Sequence, residues 1–372
     1  MTEEEKRGEG EKPLTREDVL KLIEAHGGPE GLDLSGKNLE GIDLSGKSVD
    51  FLDLHGINLS AANLQKADLK DANLQKADLS DANLQGASLW KANMQEAVLW
   101  NVNLLGADIW YANLQKSDLF CANLQKANLM FADLQEAIIT DAKLQKANLG
   151  DAKLQKANLK FANLQEAIIT GAKLQKANLS NAKLQEADLR HANLSKTMLG
   201  DVKTTYDTRL DSVDWGPKYI LGDEERRDFK TSENVYRTLK LWHTQAGMHS
   251  IADQFHYREW AVIRKGLRWR KKPWQKLWNW VFCILCGYGG RPERVIIWAA
   301  VIVSGLAGIY SSSTLSLLDS FYHSAVSFTA LGYGLGMSTP ETWVKGLGAF
   351  EAFIGVFMMS LFLITFVRKM VR

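Results

Sequence analysis

Hydrophobic residues recur at every fifth position between residues 31 and 200 of this chain. The large apolar residue falls on numbers ending in 4 or 9, as at Leu64, Leu69 and Met94, and a small residue, usually alanine, stands two positions earlier. A period of five fits neither the 3.6-residue repeat of a helix nor the two-residue alternation of a strand. It requires a backbone that turns a corner in every repeat, with both residues pointing inward. About 34 such repeats in succession predict a stacked, quasi-one-dimensional array.

The repeats have the form A(N/D)LXX, as in DANLQ and KADLS, and resemble the pentapeptide-repeat family. The resemblance implies a right-handed quadrilateral β-helix over residues 31–200, with four repeats per coil and roughly eight coils spaced by ~4.8 Å. Some members of the family mimic DNA with an acidic surface. In this chain outward lysines such as Lys66 and Lys116 are about as frequent as acids such as Glu96 and Glu136, which argues against that role.

Three tryptophans, Trp90, Trp100 and Trp110, occupy outward positions ten residues apart. On a coil of about twenty residues, Trp90 and Trp110 share one face with Met130, while Trp100 and Phe120 share the opposite face. Exposed aromatic columns favour an interface with a cytoplasmic protein partner. Surface ladders without a partner are an equal alternative.

The segments that flank the repeats have helical patterns. Residues 1–30 predict a charged tail and a capping helix over Val19 to Ala25, with Thr15 and Asp18 as its capping box. Residues 201–272 predict a linker that is charged up to residue 230 and then forms a helical hairpin, 235–245 and 251–265. A basic, tryptophan-rich run covers residues 264–280, and the apolar stretch 277–286 is too short to span a bilayer. Residues 273–290 are therefore predicted to form an interfacial helix on membrane lipid. No histidine spacing favours a metal, and Cys283 and Cys286 fit buried thiols better than zinc.

Residues 291–372 predict a two-span membrane domain, with spans at about 295–314 and 346–367. Between them Ser316 and Asp319 form a capping box for a helix that is long enough to descend only partway. Nine Lys or Arg lie between Arg264 and Arg294, three follow the second span, and Lys345 stands alone between the spans. Because positive charge concentrates on the cytoplasmic side, both termini are predicted to be cytoplasmic and the membrane to be the inner, or plasma, membrane.

The order of span, short helix, T-x-x-G-Y-G and span resembles the pore domain of two-span potassium channels. The resemblance implies a pore helix and filter over 317–334, a homotetramer around a shared pore, and K⁺ as the permeant ion, since backbone carbonyls replace the ion's water shell. Two positions depart from the family: Ala330 replaces a threonine whose hydroxyl forms the innermost site, and Leu335 replaces an aspartate, so Na⁺ conduction stays open. The implied filter residues are Thr329, Ala330, Leu331, Gly332, Tyr333 and Gly334.

The second span carries the remaining candidates. Gly355, about 20 residues after the filter, permits either a hinge or a close helix contact. Phe357, Met358 and Phe362 are candidates for a hydrophobic inner gate. An intramembrane carboxylate is a candidate functional residue by default. Glu351 is predicted either to support the filter through Tyr333 or Trp343 or simply to lie near the outer membrane interface.

Composition narrows the function further. With 45 basic and 43 acidic residues the net charge is +2, which argues against a nucleic-acid partner. No nucleophile with a base, phosphate loop or metal cluster points to an enzyme or a cofactor. The sequence therefore predicts a homotetrameric, potassium-preferring channel for monovalent cations, in which the repeats serve assembly or gating. The alternative is a non-conducting, membrane-tethered scaffold that binds a protein through the β-helix.

Overall fold

The computed structural model describes residues 13–28, 32–34, 36–46, 53–205, 207–267, 272–312, 315–329 and 342–370. The chain forms two compact units, Met1–Val235 and Tyr236–Arg372. The first contains the five-residue repeats, and the second contains both candidate membrane spans.

Each repeat of the first unit contributes one parallel β-bridge, and its partner lies twenty residues further along the chain, from Asp33 with Asp53 to Lys183 with Lys203. Four repeats therefore complete one coil. The predicted inward positions are confirmed, since residues such as Leu124 and Ala122 are at most 1% exposed. The bridges are isolated, and within the described ranges no run of paired residues forms a continuous strand. The predicted β-helix is thus matched in its coil period and parallel pairing, while its regular strands are not seen.

The interruption of the strands has a local cause at the corner of each repeat. The fifth residue has a left-handed backbone, with φ of 58° at Lys76, 59° at Asp81 and 66° at Gly86. The next amide closes the turn, as Ala77 N–H donates to the Leu74 carbonyl at 3.1 Å. A left-handed non-glycine residue costs roughly 1–2 kcal/mol, which the hydrogen bonds to the adjacent coils offset.

A helix covers the first coil. Helix α1 (Arg16–His26) begins at the predicted capping box, in which Asp18 N–H donates to Thr15 Oγ1 at 3.3 Å and Thr15 N–H donates to Asp18 Oδ2 at 3.0 Å. It ends at Gly27, whose φ of 85° is left-handed. Val19 is completely buried, beside Leu34 and Leu39 of the coil interior. The sequence-based prediction of a helix shielding this end is confirmed.

The coil continues beyond the predicted boundary at residue 200. Parallel bridges join Asp188 to Arg209 and Asn193 to Asp214, with a spacing of 21 residues. The prediction of a charged linker from residue 206 is therefore wrong for this stretch, because one inserted residue broke the five-residue pattern. Helix α2 (Gly222–Glu225) then packs on the last coils, where Leu199 N–H donates to the buried Asp223 Oδ2 at 2.8 Å.

The second unit is helical in its described part. Its elements are α3 (Phe229–Gln245), within which the two units divide, α4 (His249–Gly266), α5 (Pro273–Cys286), a 3₁₀ turn (Gly287–Gly289), α6 (Pro292–Tyr310), α7 (Leu317–Phe328) and α8 (Thr342–Met370). The helical hairpin is present, although α3 begins six residues before its predicted start and α4 two residues before. Two segments, Pro292–Tyr310 and Trp343–Val367, are long and apolar enough to cross a membrane.

Candidate ion pathway

Helix α7 packs against both spans and ends where the glycine-rich string begins. It starts at Ser316, whose hydroxyl oxygen accepts the Asp319 N–H at 3.2 Å, as predicted. With 12 residues it extends ~18 Å, too short to cross a bilayer. Thr329 is its C-cap, and the Thr329 hydroxyl donates to the Ala325 carbonyl at 2.9 Å. The partially negative C-terminus of α7 therefore lies directly before the filter string.

Of the predicted filter residues, Thr329 is described, whereas Ala330, Leu331, Gly332, Tyr333 and Gly334 lie outside the described residues.

A buried carboxyl joins the three helices of this region. Glu351 on α8 has no exposed surface. The Tyr310 hydroxyl of α6 donates to its Oε2 at 2.9 Å, and the Ser324 hydroxyl of α7 donates to its Oε1. Of the two predicted partners, Trp343 is 45% exposed, and Tyr333 lies outside the described residues, so that contact stays a prediction. Glu351 thus fixes α7 against both spans from the side.

Tyr310 and Ser324 are contributors to the site that sequence reasoning missed. They lie 41 and 27 residues from Glu351 along the chain, so no spacing rule connects them. A usable signal was nevertheless present, because a carboxyl in an apolar span needs hydrogen-bond donors from neighbouring helices. Both hydroxyl residues are themselves fully buried.

Gly355 lies one helical turn after Glu351 and meets the end of α7. A Cβ atom at this position would overlap the backbone carbonyl oxygen of Phe328. Only a residue without a side chain permits the two helices to approach this closely. Of the two predicted roles, the structure provides the contact, and the hinge stays a prediction.

The three gate candidates divide between two faces of α8. Met358 is 2% exposed and packs with Val295 and Phe328 in the apolar cluster of this unit. Phe362 packs against the same cluster and stacks on Phe366, with ring centroids 5.5 Å apart. Phe357 is 39% exposed on the other face. Of the three side chains, that of Phe357 is therefore the most exposed within one chain.

The first Gly-Tyr-Gly string, residues 287–289, is more than a turn. Tyr288 has a left-handed φ of 59° and a buried ring. The Tyr288 hydroxyl donates to Asn279 Oδ1 at 2.6 Å, and His256 Nε2 lies 3.0 Å from the Tyr288 carbonyl oxygen. This tyrosine anchors α4 and α5 directly before the first candidate span, and no periodic pattern of the chain predicts that role.

A buried ion-pair network supports the same anchor from α4. Glu259 Oε1 accepts Arg237 Nε–H at 3.0 Å, and Glu259 Oε2 accepts Lys240 Nζ–H at 2.7 Å. Burial acts to raise the pKa of Glu259, but the neighbouring His256, Lys240 and Arg237 outweigh burial and lower this pKa from 4.5 to about 2. Glu259 therefore stays ionised well into the acid range and holds α3 against α4.

Metal-binding groups are not found in the part of the chain that the structure describes, where no cluster of three His, Cys, Asp or Glu could hold an ion. Cys283 and Cys286 are buried, and neither forms a disulfide.

On the first unit the aromatic faces lie as expected. The Trp90 and Trp110 rings are 6.4 Å apart, and Trp100 is 52% exposed on another face. The Trp90 and Trp110 pair continues through Tyr111 to Phe131, with ring centroids 4.9 Å apart at each step. Lys70 and Lys91 each place an ammonium group over Trp90, at 4.3 and 4.2 Å from the ring centroid. Part of the Trp90 surface is therefore covered within the chain.

Models of known families match both units. A model described as pentapeptide repeats (8 copies) matches residues 53–90, 82–119, 112–151, 132–171, 142–181 and 172–203. A model described as ion channel matches residues 296–372. No curated protein sequence matches the chain.

Three solved structures are similar to the repeat-containing part of the chain. HetL, a pentapeptide-repeat protein involved in heterocyst differentiation regulation in the cyanobacterium Nostoc sp. strain PCC 7120, is 31% identical over 54% of this chain and 94% of HetL, with a TM-score of 0.39. QnrB1, a plasmid-mediated fluoroquinolone resistance protein, is 18% identical over 47% of this chain and 90% of its own, with a TM-score of 0.29. Rfr23, a pentapeptide-repeat protein from the cyanobacterium Cyanothece 51142, is 22% identical over 53% of this chain and 97% of Rfr23, with a TM-score of 0.15.

The matches divide along the chain as the two units do. The repeat model covers the coils of the first unit, while the ion-channel model covers α7, α8 and most of α6. The chain therefore carries pentapeptide repeats, and the segment that follows them, with both candidate spans, matches the ion-channel family.

Proposed function

We propose that the protein is a homotetrameric channel for monovalent cations that prefers K⁺, with residues 329–334 of each chain forming one quarter of the filter. The observation that carries this proposal is the position of α7. Its C-terminus meets Thr329 directly before the Ala-Leu-Gly-Tyr-Gly string, and Glu351 and Gly355 hold it between the spans. A short helix that aims its negative end at glycine-rich backbone suits the stabilisation of a dehydrated cation.

Four chains are required because one filter strand cannot surround an ion. The uncovered face of α8 supports assembly, since Phe353 is 75% exposed and Leu363 is 62% exposed. Large apolar side chains on such a face suit contact with other subunits or with lipid. On this face Phe357 would contribute one of four side chains to a hydrophobic gate.

The first unit supplies a cytoplasmic domain in this proposal, with both chain termini on the cytoplasmic side of the plasma membrane. Its coil is proposed to be the right-handed quadrilateral β-helix of its family, and to assemble or gate the tetramer. The faces that carry Trp90, Trp100 and Trp110 are its candidate interface with a partner protein.

The decisive experiment is the reversal potential of the purified full-length protein in planar bilayers, with K⁺ on one side and Na⁺ on the other. We expect a value close to the K⁺ equilibrium potential. Ala330→Thr restores a hydroxyl at the innermost filter layer and should shift this value further toward that of a strictly selective pore. Ala349→Thr, at an exposed position on α8, is the matched control and should leave the reversal potential unchanged.

The other outcomes separate the alternatives. Clear current that reverses near zero would contradict the K⁺ preference and leave a non-selective cation pore. A folded tetramer without current under any condition would contradict the channel and favour the membrane-tethered scaffold.

A further inference from the structure

A cavity of about 650 Å³ opens between α4, α5 and the last turns of α8. Small-molecule sites usually measure ~300–1,000 Å³, so the cavity is large enough for a ligand. Its walls are largely apolar and rich in aromatic side chains, and they include Trp260, Trp274, Trp278, Phe282, Leu361 and Ile364. The cavity lies wholly within the second unit.

Most polar side chains of the walls already have a partner inside the protein. His256 Nε2 contacts the Tyr288 carbonyl at 3.0 Å, the Tyr288 hydroxyl donates to Asn279 at 2.6 Å, and the Thr365 hydroxyl donates to the Phe362 carbonyl at 2.9 Å. The polar groups of a polar ligand would therefore find few partners in the cavity, and burying them unpaired costs free energy. A hydrocarbon chain makes no such demand and suits the aromatic walls.

Two lysines lie next to wall residues of the cavity, Lys276 by contact and Lys272 along the chain. Lys276 Nζ lies 2.9 Å from the carbonyl oxygen of Leu267, which is a wall residue. Lys272 is exposed at the start of α5, immediately before the wall residues Trp274 and Gln275. Basic side chains at this place complement an anionic headgroup.

The position along the chain matches a membrane boundary. The α8 wall, residues 361–365, belongs to the last turns of the candidate span Trp343–Val367. Trp274 and Trp278 on the opposite wall are 73% and 54% exposed. Tryptophan and lysine together are typical of the zone where hydrocarbon meets headgroups.

We propose that this cavity binds one acyl chain of an anionic phospholipid, with the phosphate group of that lipid held beside Lys276 and Lys272. Binding at this place would connect α4 and α5 to the cytoplasmic end of α8. The proposal concerns lipid binding alone and does not depend on ion conduction.

The test uses the full-length protein in phosphatidylcholine vesicles that contain phosphatidylglycerol with a photoactivatable group at the end of one acyl chain. After illumination, peptide mass spectrometry locates the label. We expect labelling of the cavity walls on α4, α5 and α8. Ile364→Trp fills the cavity and should reduce this labelling at least several-fold. Leu363→Trp is the matched control, since Leu363 is similarly exposed (62% against 65%) but is not a wall residue.

Competition on the unmodified protein tests the headgroup and does not depend on a variant folding. Excess unlabelled phosphatidylglycerol should suppress wall labelling, and excess phosphatidylcholine should not. Equal suppression by both lipids would overturn the anionic preference. Equal labelling of the two tryptophan variants, or crosslinks from the walls to a second copy of the chain in place of lipid, would overturn the site.

Discussion

The two units of this molecule differ in how their polar side chains are hydrogen-bonded. In the repeats the same solution recurs from coil to coil, since the Asn113 amide donates to Asn93 Oδ1 at 3.0 Å and the Asn93 amide donates to Asn73 Oδ1 at 3.2 Å. In the second unit each solution occurs at one place. Glu351 is held by two specific hydroxyls, and Gly355 admits one specific carbonyl.

The difference determines how each unit responds to change. A stacked array contacts only its neighbours, so its stability is approximately a sum of similar local terms. The packing of α6, α7 and α8 has no copies of its central contacts, and residues in one network are strongly coupled. We therefore expect small, additive effects in the coil and large, non-additive effects around α7.

The largest effect is expected at Gly355. Gly355→Ala places a methyl group on the Phe328 carbonyl, so α7 and α8 must separate. Overpacking typically costs ~1–3 kcal/mol. The obstacle here is backbone that cannot rotate away, so we expect a larger cost and a strong loss of folded protein in size-exclusion chromatography and thermal unfolding. Gly346→Ala on the same helix meets no atom within 4 Å and should be neutral or slightly stabilising. If both variants behave alike, the close approach does not matter for folding.

The next effect concerns Glu351. Glu351→Ala removes the carboxyl partner of the buried Tyr310 hydroxyl, and a buried polar group that loses its partner costs ~1–3 kcal/mol. The Ser324 hydroxyl can still donate to the Val303 carbonyl at 2.9 Å. Tyr310→Phe removes one hydrogen bond and should cost less. In a double-mutant cycle measured by thermal unfolding, the two substitutions should be strongly non-additive. Additive changes in the free energy of unfolding would show that Glu351 and Tyr310 act independently, which would contradict the strong coupling expected around α7.

A pH-dependent effect is expected from Glu259. Because its pKa in the folded protein is lowered from 4.5 to about 2, the stabilisation by Glu259 is fully present above pH 4.5 and is lost as the pH falls toward 2. Glu259→Gln should flatten the stability of the second unit across this window, as followed by the circular dichroism of unfolding. Glu293→Gln, at the exposed start of α6, is the control. Equal pH dependence of both variants would contradict the role of the Arg237–Lys240–Glu259 network.

The smallest effect is expected in the amide ladder of the coil. Asn113→Ala removes its bonds to Asn93 and to the Gln115 amide, at a cost of ~0.5–1.5 kcal/mol for each bond. Asn123→Ala removes the equivalent bonds on another column, to Asn103 and Gln125. The two effects should add within ~0.5 kcal/mol in thermal unfolding. A strong coupling between the two columns would mean that the coil responds as one cooperative body.

The interior of the coil could be predicted from the sequence because its period is regular. Leucine and alanine occupy fixed places in most repeats, and in those repeats the two places are buried. The prediction ended too early because the bridge from Asp188 reaches Arg209 instead of residue 208. Because one residue is inserted, a search with a fixed period of five residues no longer finds the repeats that follow. The amide ladder was also missed, since a contact between residues twenty apart needs the coil geometry first.

The membrane region was predictable in its order and less so in its contacts. The long apolar stretches predicted the two spans, and the capping residue Ser316 predicted the start of α7. The partners of Glu351, the contact at Gly355 and the burial of Met358 depend on which helix faces meet. Helix packing is set by side chains far apart in sequence, so composition and spacing could not supply these contacts.

The helix that covers the first coil also limits what the repeats can build. A coil presents the same backbone groups and the same leucines at its end as those that receive the next coil. A second molecule could therefore add to an uncovered end, and such head-to-tail addition does not close but continues into a filament. Val19 and the rest of α1 occupy that end. The eleven residues of α1 thus block the addition of a further coil at this end, so that a repeat pattern that could continue without limit has a finite length.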